Sequence, residues 1–155
     1  MEHRIIPRNY YEDWNIGEKF TSPARTVTQA DIVNFAGISG DYNLAHTDKE
    51  YSRTKGFEKP IVYGWLTLSI AHGLLFRLGL PINSITFMGI DGARFTHWVL
   101  PDDTIHCTAE VASKRLTSKP DRGIVNFKAL VFNQRAEQVA EMTLNFMYAL
   151  APKAA

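Results

Sequence analysis

The chain holds a single cysteine, Cys107, among 155 residues. That excludes an internal disulfide and every metal site built on paired thiolates, and it suits a reducing compartment such as the cytosol. No apolar run is long enough to span a bilayer. The longest apolar stretch, Trp65 to Leu80, is interrupted by Ser69, His72 and Arg77, whereas a span needs about 20 largely apolar residues. It reads as a buried helix, and no membrane partner is expected. The segment from Met1 to Pro7 lacks the apolar core of a signal peptide. An excess of one charge is missing too: 17 Lys and Arg against 16 Asp and Glu leave a formal charge of +1. The nearest approach to a basic cluster, Lys114, Arg115, Lys119 and Arg122, is interrupted by Asp121 and suits a solvated hairpin tip, so a nucleic-acid partner is not expected. Five histidines without paired spacing argue against a metal. His3, His97 and His106 read as structural.

What is present fits one domain with an ordinary packed core, since 45% of the residues are hydrophobic. Residues 1–16 form an N-terminal arm whose Tyr10, Tyr11 and Trp14 lie on the body, and residues 151–155 a frayed tail. A strand is expected over Glu18 to Val27. Thr28 and Asp31 form a capping box for a helix over Gln29 to Ala36 that buries Ile32, Val33, Phe35 and Ala36. Thr47 to Lys55 suits a short helix. Pro60 forces the backbone before it to be extended. A helix then runs from Gly64 to Leu78, apolar nearly all round and therefore enclosed. Strands are expected over 84–90, 92–99, 104–116, 123–133 and 138–150. In the third, Ile105, Cys107, Ala109 and Val111 alternate with polar residues, the period of a half-buried strand. Short turns between the strands leave little room for crossover helices, so the sheet should be mainly antiparallel. A long curved antiparallel sheet wrapped around one apolar helix makes an α+β domain.

The segment Asp41-Tyr42-Asn43-Leu44-Ala45-His46-Thr47-Asp48 carries the chemistry. Gly40, Asp41 and Asn43 are turn formers, so the segment reads as a loop. A carboxylate and a neutral imidazole aimed at one spot can hold and deprotonate a water. The same spacing also suits a solvated loop in which Asp41 caps a turn and His46 is incidental.

Two further stretches bring in a resemblance. The loop is similar to the motif Asp, any residue, Asn, Pro, an aliphatic residue and His of the MaoC-like, (R)-specific enoyl-CoA hydratase family. Phe57-Glu58-Lys59-Pro60-Ile61-Val62-Tyr63-Gly64-Trp65-Leu66 resembles that family's second signature, and Arg94-Phe95 through Pro101-Asp102-Asp103-Thr104 its strand and turn. The matches keep family order over roughly residues 10 to 148. The resemblance implies the hot-dog fold and a reversible syn addition of water to a trans-2-enoyl-CoA, with the thioester as substrate and no further cofactor. It implies Asp41 and His46 as the acid/base pair, Gly64 as the backbone donor to the thioester carbonyl, and Asn43 as a brace of the loop or a contact to substrate. It also implies a homodimer, with sites at the interface, in fatty acid metabolism.

The chain departs from the pattern at several positions. Leu44 replaces the motif proline, and Ala45 is smaller than usual. Tyr63 stands where histidine is common and Trp65 where methionine is common; each suits a reshaped acyl pocket, hence substrate contact, or simple repacking. His72, eight residues after Gly64, could meet the acyl chain or be a core histidine. Asp102 replaces a turn glycine, which Asp tolerates better than most residues. Scattered Lys and Arg give no pattern for the CoA phosphates. Two other readings stay open: an acyl-CoA thioesterase on the same fold, and a non-catalytic acyl-CoA-binding module.

Overall fold

The computed structural model describes residues 8–80 and 82–152; the expectations for residues 1–7, His3 among them, and for 153–155 lie outside the described residues. Three long strands form the body: β4 (Thr104–Leu116), β5 (Arg122–Phe132) and β6 (Gln138–Ala149). The labels β1, β2 and β3 belong to Lys19–Thr21, Arg25–Thr26 and Thr86–Phe95. The sheet is antiparallel in the order β1-β4-β5-β6-β3, with β2 also paired to β4. The period-2 pattern of β4 does what it predicts: Ile105, Cys107, Ala109 and Val111 are all buried.

The helices are α1 (Gln29–Ser39), α2 (Leu44–Thr47), α3 (Lys49–Thr54) and α4 (Gly64–Phe76). Thr28 caps α1 as expected, accepting from the Asp31 N–H while Asp31 accepts from the Thr28 N–H. Leu66, Leu68, Ile70, Ala71, Leu74 and Leu75 of α4 share one core with the inward residues of β4, β5 and β6. Trp14 of the N-terminal arm joins that core, edge-on to Phe127 at 4.9 Å.

Several boundaries differ from expectation. The strand over 18–27 is split at Ser22 and Pro23 into β1 and β2, because proline cannot donate to a ladder. The two strands expected over 84–99 are one, β3, kinked by register shifts between Phe87 and Gly89 and between Asp91 and Arg94. Its glycines hold φ values of 151° at Gly89 and 59° at Gly92, so they make bulges inside the strand rather than a break. On α1, Val33 is 62% exposed, against expectation. Helix α4 is not enclosed all round within one chain: Trp65, Ser69, Gly73 and Phe76 make an outward stripe. Asp102 adopts φ 76°, the left-handed backbone for which a glycine would otherwise be chosen.

Candidate active site

The segment from Asp41 to Thr47 is only partly loop. Asp41 Oδ1 accepts the Asn43 N–H at 3.0 Å, and Asn43 Oδ1 accepts the Ala45 N–H at 2.9 Å. These two successive side-chain turns feed the single-turn helix α2, for which Asn43 is the N-cap. His46 therefore sits on a helical turn, where an open loop had been expected. Asn43 spends its carbonyl oxygen on the backbone, which makes it a brace of the segment.

Ile61 holds this turn from the other side. Its N–H donates to the Ala45 carbonyl at 3.0 Å, and its carbonyl lies 2.7 Å from His46 Nδ1. A carbonyl can only accept, so Nδ1 carries the proton in the neutral ring, and Nε2 is left with its lone pair. The second oxygen of Asp41 has no protein donor among the described residues.

Three residues after Ile61 the chain enters α4. Gly64 is its first residue, so its N–H has no carbonyl one turn back to bond, and the helix dipole lies behind it. A Cβ at Gly64 would stand 2.6 Å from Cζ of Phe95, so any larger residue here would have to push the exposed Phe95 ring of β3 away from the helix start. Asp41, His46, Tyr63, Gly64 and Trp65 line one cavity of about 310 Å³, closed by Phe95, His97, Trp98 and Val139.

The structure thus brings together the two titratable groups and the helix-start donor. Tyr63 faces the same cavity but is buried, and its O–H donates to the Asp41 carbonyl at 2.6 Å. Burial, and then the nearby Asp41 charge, hold its phenol above the ordinary value, so it stays a proton donor. Trp65 lies at the mouth, 68% exposed. His72 does not line this cavity. It packs among Phe76, Phe87 and Phe146, and burial lowers its pKa. Of the two readings its position allowed, an acyl contact or a core histidine, its packing is that of the second: the helix turns it toward β3 and β6.

Phe95, His97, Trp98 and Val139 were missed as site residues, apart from Phe95 being noted in the Arg94-Phe95 motif. They come from β3, the segment after it and β6, and no local spacing announces them. A second, open cleft of about 570 Å³ is lined by Lys49, Arg53, Glu58 and Lys59, all from one short stretch of chain. Its Phe57 meets Trp98 of the cavity wall edge-on at 5.1 Å.

Residues 13–132 match the model of the MaoC-like domain. Protein MaoC of Klebsiella aerogenes is 40% identical over 123 residues, 78% of this chain and 36% of the relative. An (R)-specific enoyl-CoA hydratase of Rhodospirillum rubrum is 36% identical over 120 residues, 77% of this chain and 78% of the relative. The solved structure of a monoamine oxidase regulatory protein from Archaeoglobus fulgius superimposes with a TM-score of 0.88 at 37% identity, covering 94% of this chain and 97% of the other. The chain spans two fifths or less of the longer curated relatives it matches, 36% in the case of MaoC. With its six-stranded antiparallel sheet, its central helix and these likenesses, the chain is a hot-dog domain that belongs to the MaoC-like domain family.

Proposed function

We propose that this domain is a hydro-lyase that adds water reversibly to a trans-2-enoyl-CoA, giving the (R)-3-hydroxyacyl-CoA. The observation that carries the reading is the shared cavity of Asp41, His46 and Gly64, in which the Ile61 carbonyl occupies Nδ1 of the imidazole and leaves Nε2 as the basic nitrogen.

The chemistry follows from charge. Water adds to C3 only if the C2–C3 π electrons move toward C2 and the thioester carbonyl, so an enolate-like charge develops on that oxygen. The Gly64 N–H is a fixed donor for it, and removing a donor of this kind from an oxyanion site typically costs roughly a hundredfold or more in rate. Asp41 and His46 hold the water between them. One of them takes its proton as the oxygen bonds C3, and a proton is delivered to C2 on the same face. Glycine leaves room for the thioester beside the backbone.

The open cleft offers Lys49, Arg53 and Lys59 to CoA phosphates, which would compete there with Glu50 for Arg53 and with Asp102 for Lys59. The outer edge of β3 pairs with no strand in the described residues and exposes Phe87 and Met88, which supports pairing with a second copy into a homodimer.

Crotonyl-CoA tests the reading. Loss of absorbance at the enoyl band without release of free thiol is expected. Thiol release with the enoyl band intact overturns it in favour of a thioesterase, and no change in either signal leaves a binding module.

A further inference from the structure

Two departures from the family pattern, Leu44 and Tyr63, meet in one place. Leu44 is the first residue of α2. That position suits proline, because its N–H has no helical partner and the ring's φ is already helical. Asn43 before it has φ −54° and ψ 132°, the extended backbone that a following proline requires. No acceptor for the Leu44 N–H occurs among the described residues. A proline would fit, yet the chain has a leucine that is 50% exposed. The turn carrying His46 therefore lacks a local stiffener that its geometry would accept.

Tyr63 supplies a contact from 22 residues away. Its O–H donates to the Asp41 carbonyl at 2.6 Å, and its ring lies on that of His46 with centroids 3.8 Å apart at 32°. Phe35 backs the ring at 5.1 Å. Tyr63 is also the N-cap of α4, so its backbone leads directly into the Gly64 N–H. One side chain thus touches the backbone of the acid and the face of the imidazole, and its main chain sets the donor.

We infer that Tyr63 is a positioning residue: its tertiary hydrogen bond and stacked ring replace the stiffness that proline at position 44 would supply, so positions 44 and 63 are energetically coupled. The inference rests on reading Asp41 and His46 as the reacting pair. Tyr63→Phe keeps the stacked ring and removes the O–H. Its expected effect is a fall in kcat of about tenfold, the order of one hydrogen bond, with KM held within about twofold. Leu44→Pro alone should leave kcat near that of the parent chain. Leu44→Pro combined with Tyr63→Phe should recover most of the loss.

Amide hydrogen exchange at Ala45 and His46 gives a readout independent of substrate. It should quicken in Tyr63→Phe and slow again in the double variant. Unchanged kcat in Tyr63→Phe, losses that merely add in the double variant, or unchanged exchange each overturn the coupling. A parent chain that hydrates no enoyl-CoA overturns the hydratase reading instead, and the exchange data then decide the coupling alone.

Discussion

Asp41 and Asp103 are the same side chain in opposite settings. Asp103 is 4% exposed. Its Oδ2 accepts the Leu100 N–H at 2.9 Å, and its Oδ1 accepts from Gln134 at 2.7 Å and Arg135 at 3.0 Å. Burial alone would raise its pKa, but those three donors outweigh it and hold the carboxyl below its ordinary value. Asp41 lies in the open: one oxygen accepts the Asn43 N–H, and the carboxylate borders a cavity shared with an imidazole. A buried carboxylate with three protein donors is closed to a substrate and serves to tie a turn. One with free acceptor sites beside a base is equipped for proton transfer.

The comparison is tested hardest at Asp41. Asp41→Asn keeps the shape and the acceptor for Asn43 but removes the charge. Turnover of enoyl-CoA should fall by about a hundredfold or more, the scale of general acid–base catalysis, while Tm stays put. A variant that keeps near-normal turnover breaks the assignment. At Asp103 the outcome should invert. Asp103→Asn places an amide N–H₂ among donors and should cost about 2 kcal/mol of stability, with turnover per folded molecule unchanged.

The same contrast has a pH signature. Because the folded pKa of Asp103 lies below the unfolded one, its stabilisation is complete above the ordinary carboxylate range, near about pH 4. It is lost as pH falls through the folded value. Urea midpoints between about pH 6 and pH 2 should therefore decline less in Asp103→Asn than in the parent chain. Parallel declines would show that the donors around Asp103 do not stabilise its charged form.

These two aspartates also mark what a linear reading reaches. Strands β4 and β6 were legible because one buried face imposes a period of two on their side chains. That Asp41, His46 and Gly64 share a cavity was legible because each family motif lies within a short stretch of chain. The enclosure of Asp103 by its donors was not, since Gln134 and Arg135 lie 31 and 32 residues away. The cavity wall at His97, Trp98 and Val139 escaped for the same reason. Gly89 and Gly92 looked like a boundary between strands, since glycine marks bulges and breaks alike, and only pairing with β6 tells them apart. The hydrogen bond of Tyr63 was hidden because a phenol at a helix start carries no mark of the carbonyl it will meet.

The two regions are also linked through Arg135, and the smallest expected effect lies there. Arg135 bonds Asp103 and also donates to Glu137 at 2.8 Å; Glu137 lies 3.7 Å from Nε2 of His97, which lines the cavity. A chain of polar contacts thus runs from the structural carboxylate to the wall of the site. Its last link is long, and both side chains there are well exposed, at 46% and 40%, so water screens the pair. Glu137→Gln should change kcat/KM by less than about fivefold, as expected for an exposed ion pair. A loss of tenfold or more would mean that the donors around Asp103 also govern the cavity, and that the two aspartates do not divide structure from chemistry.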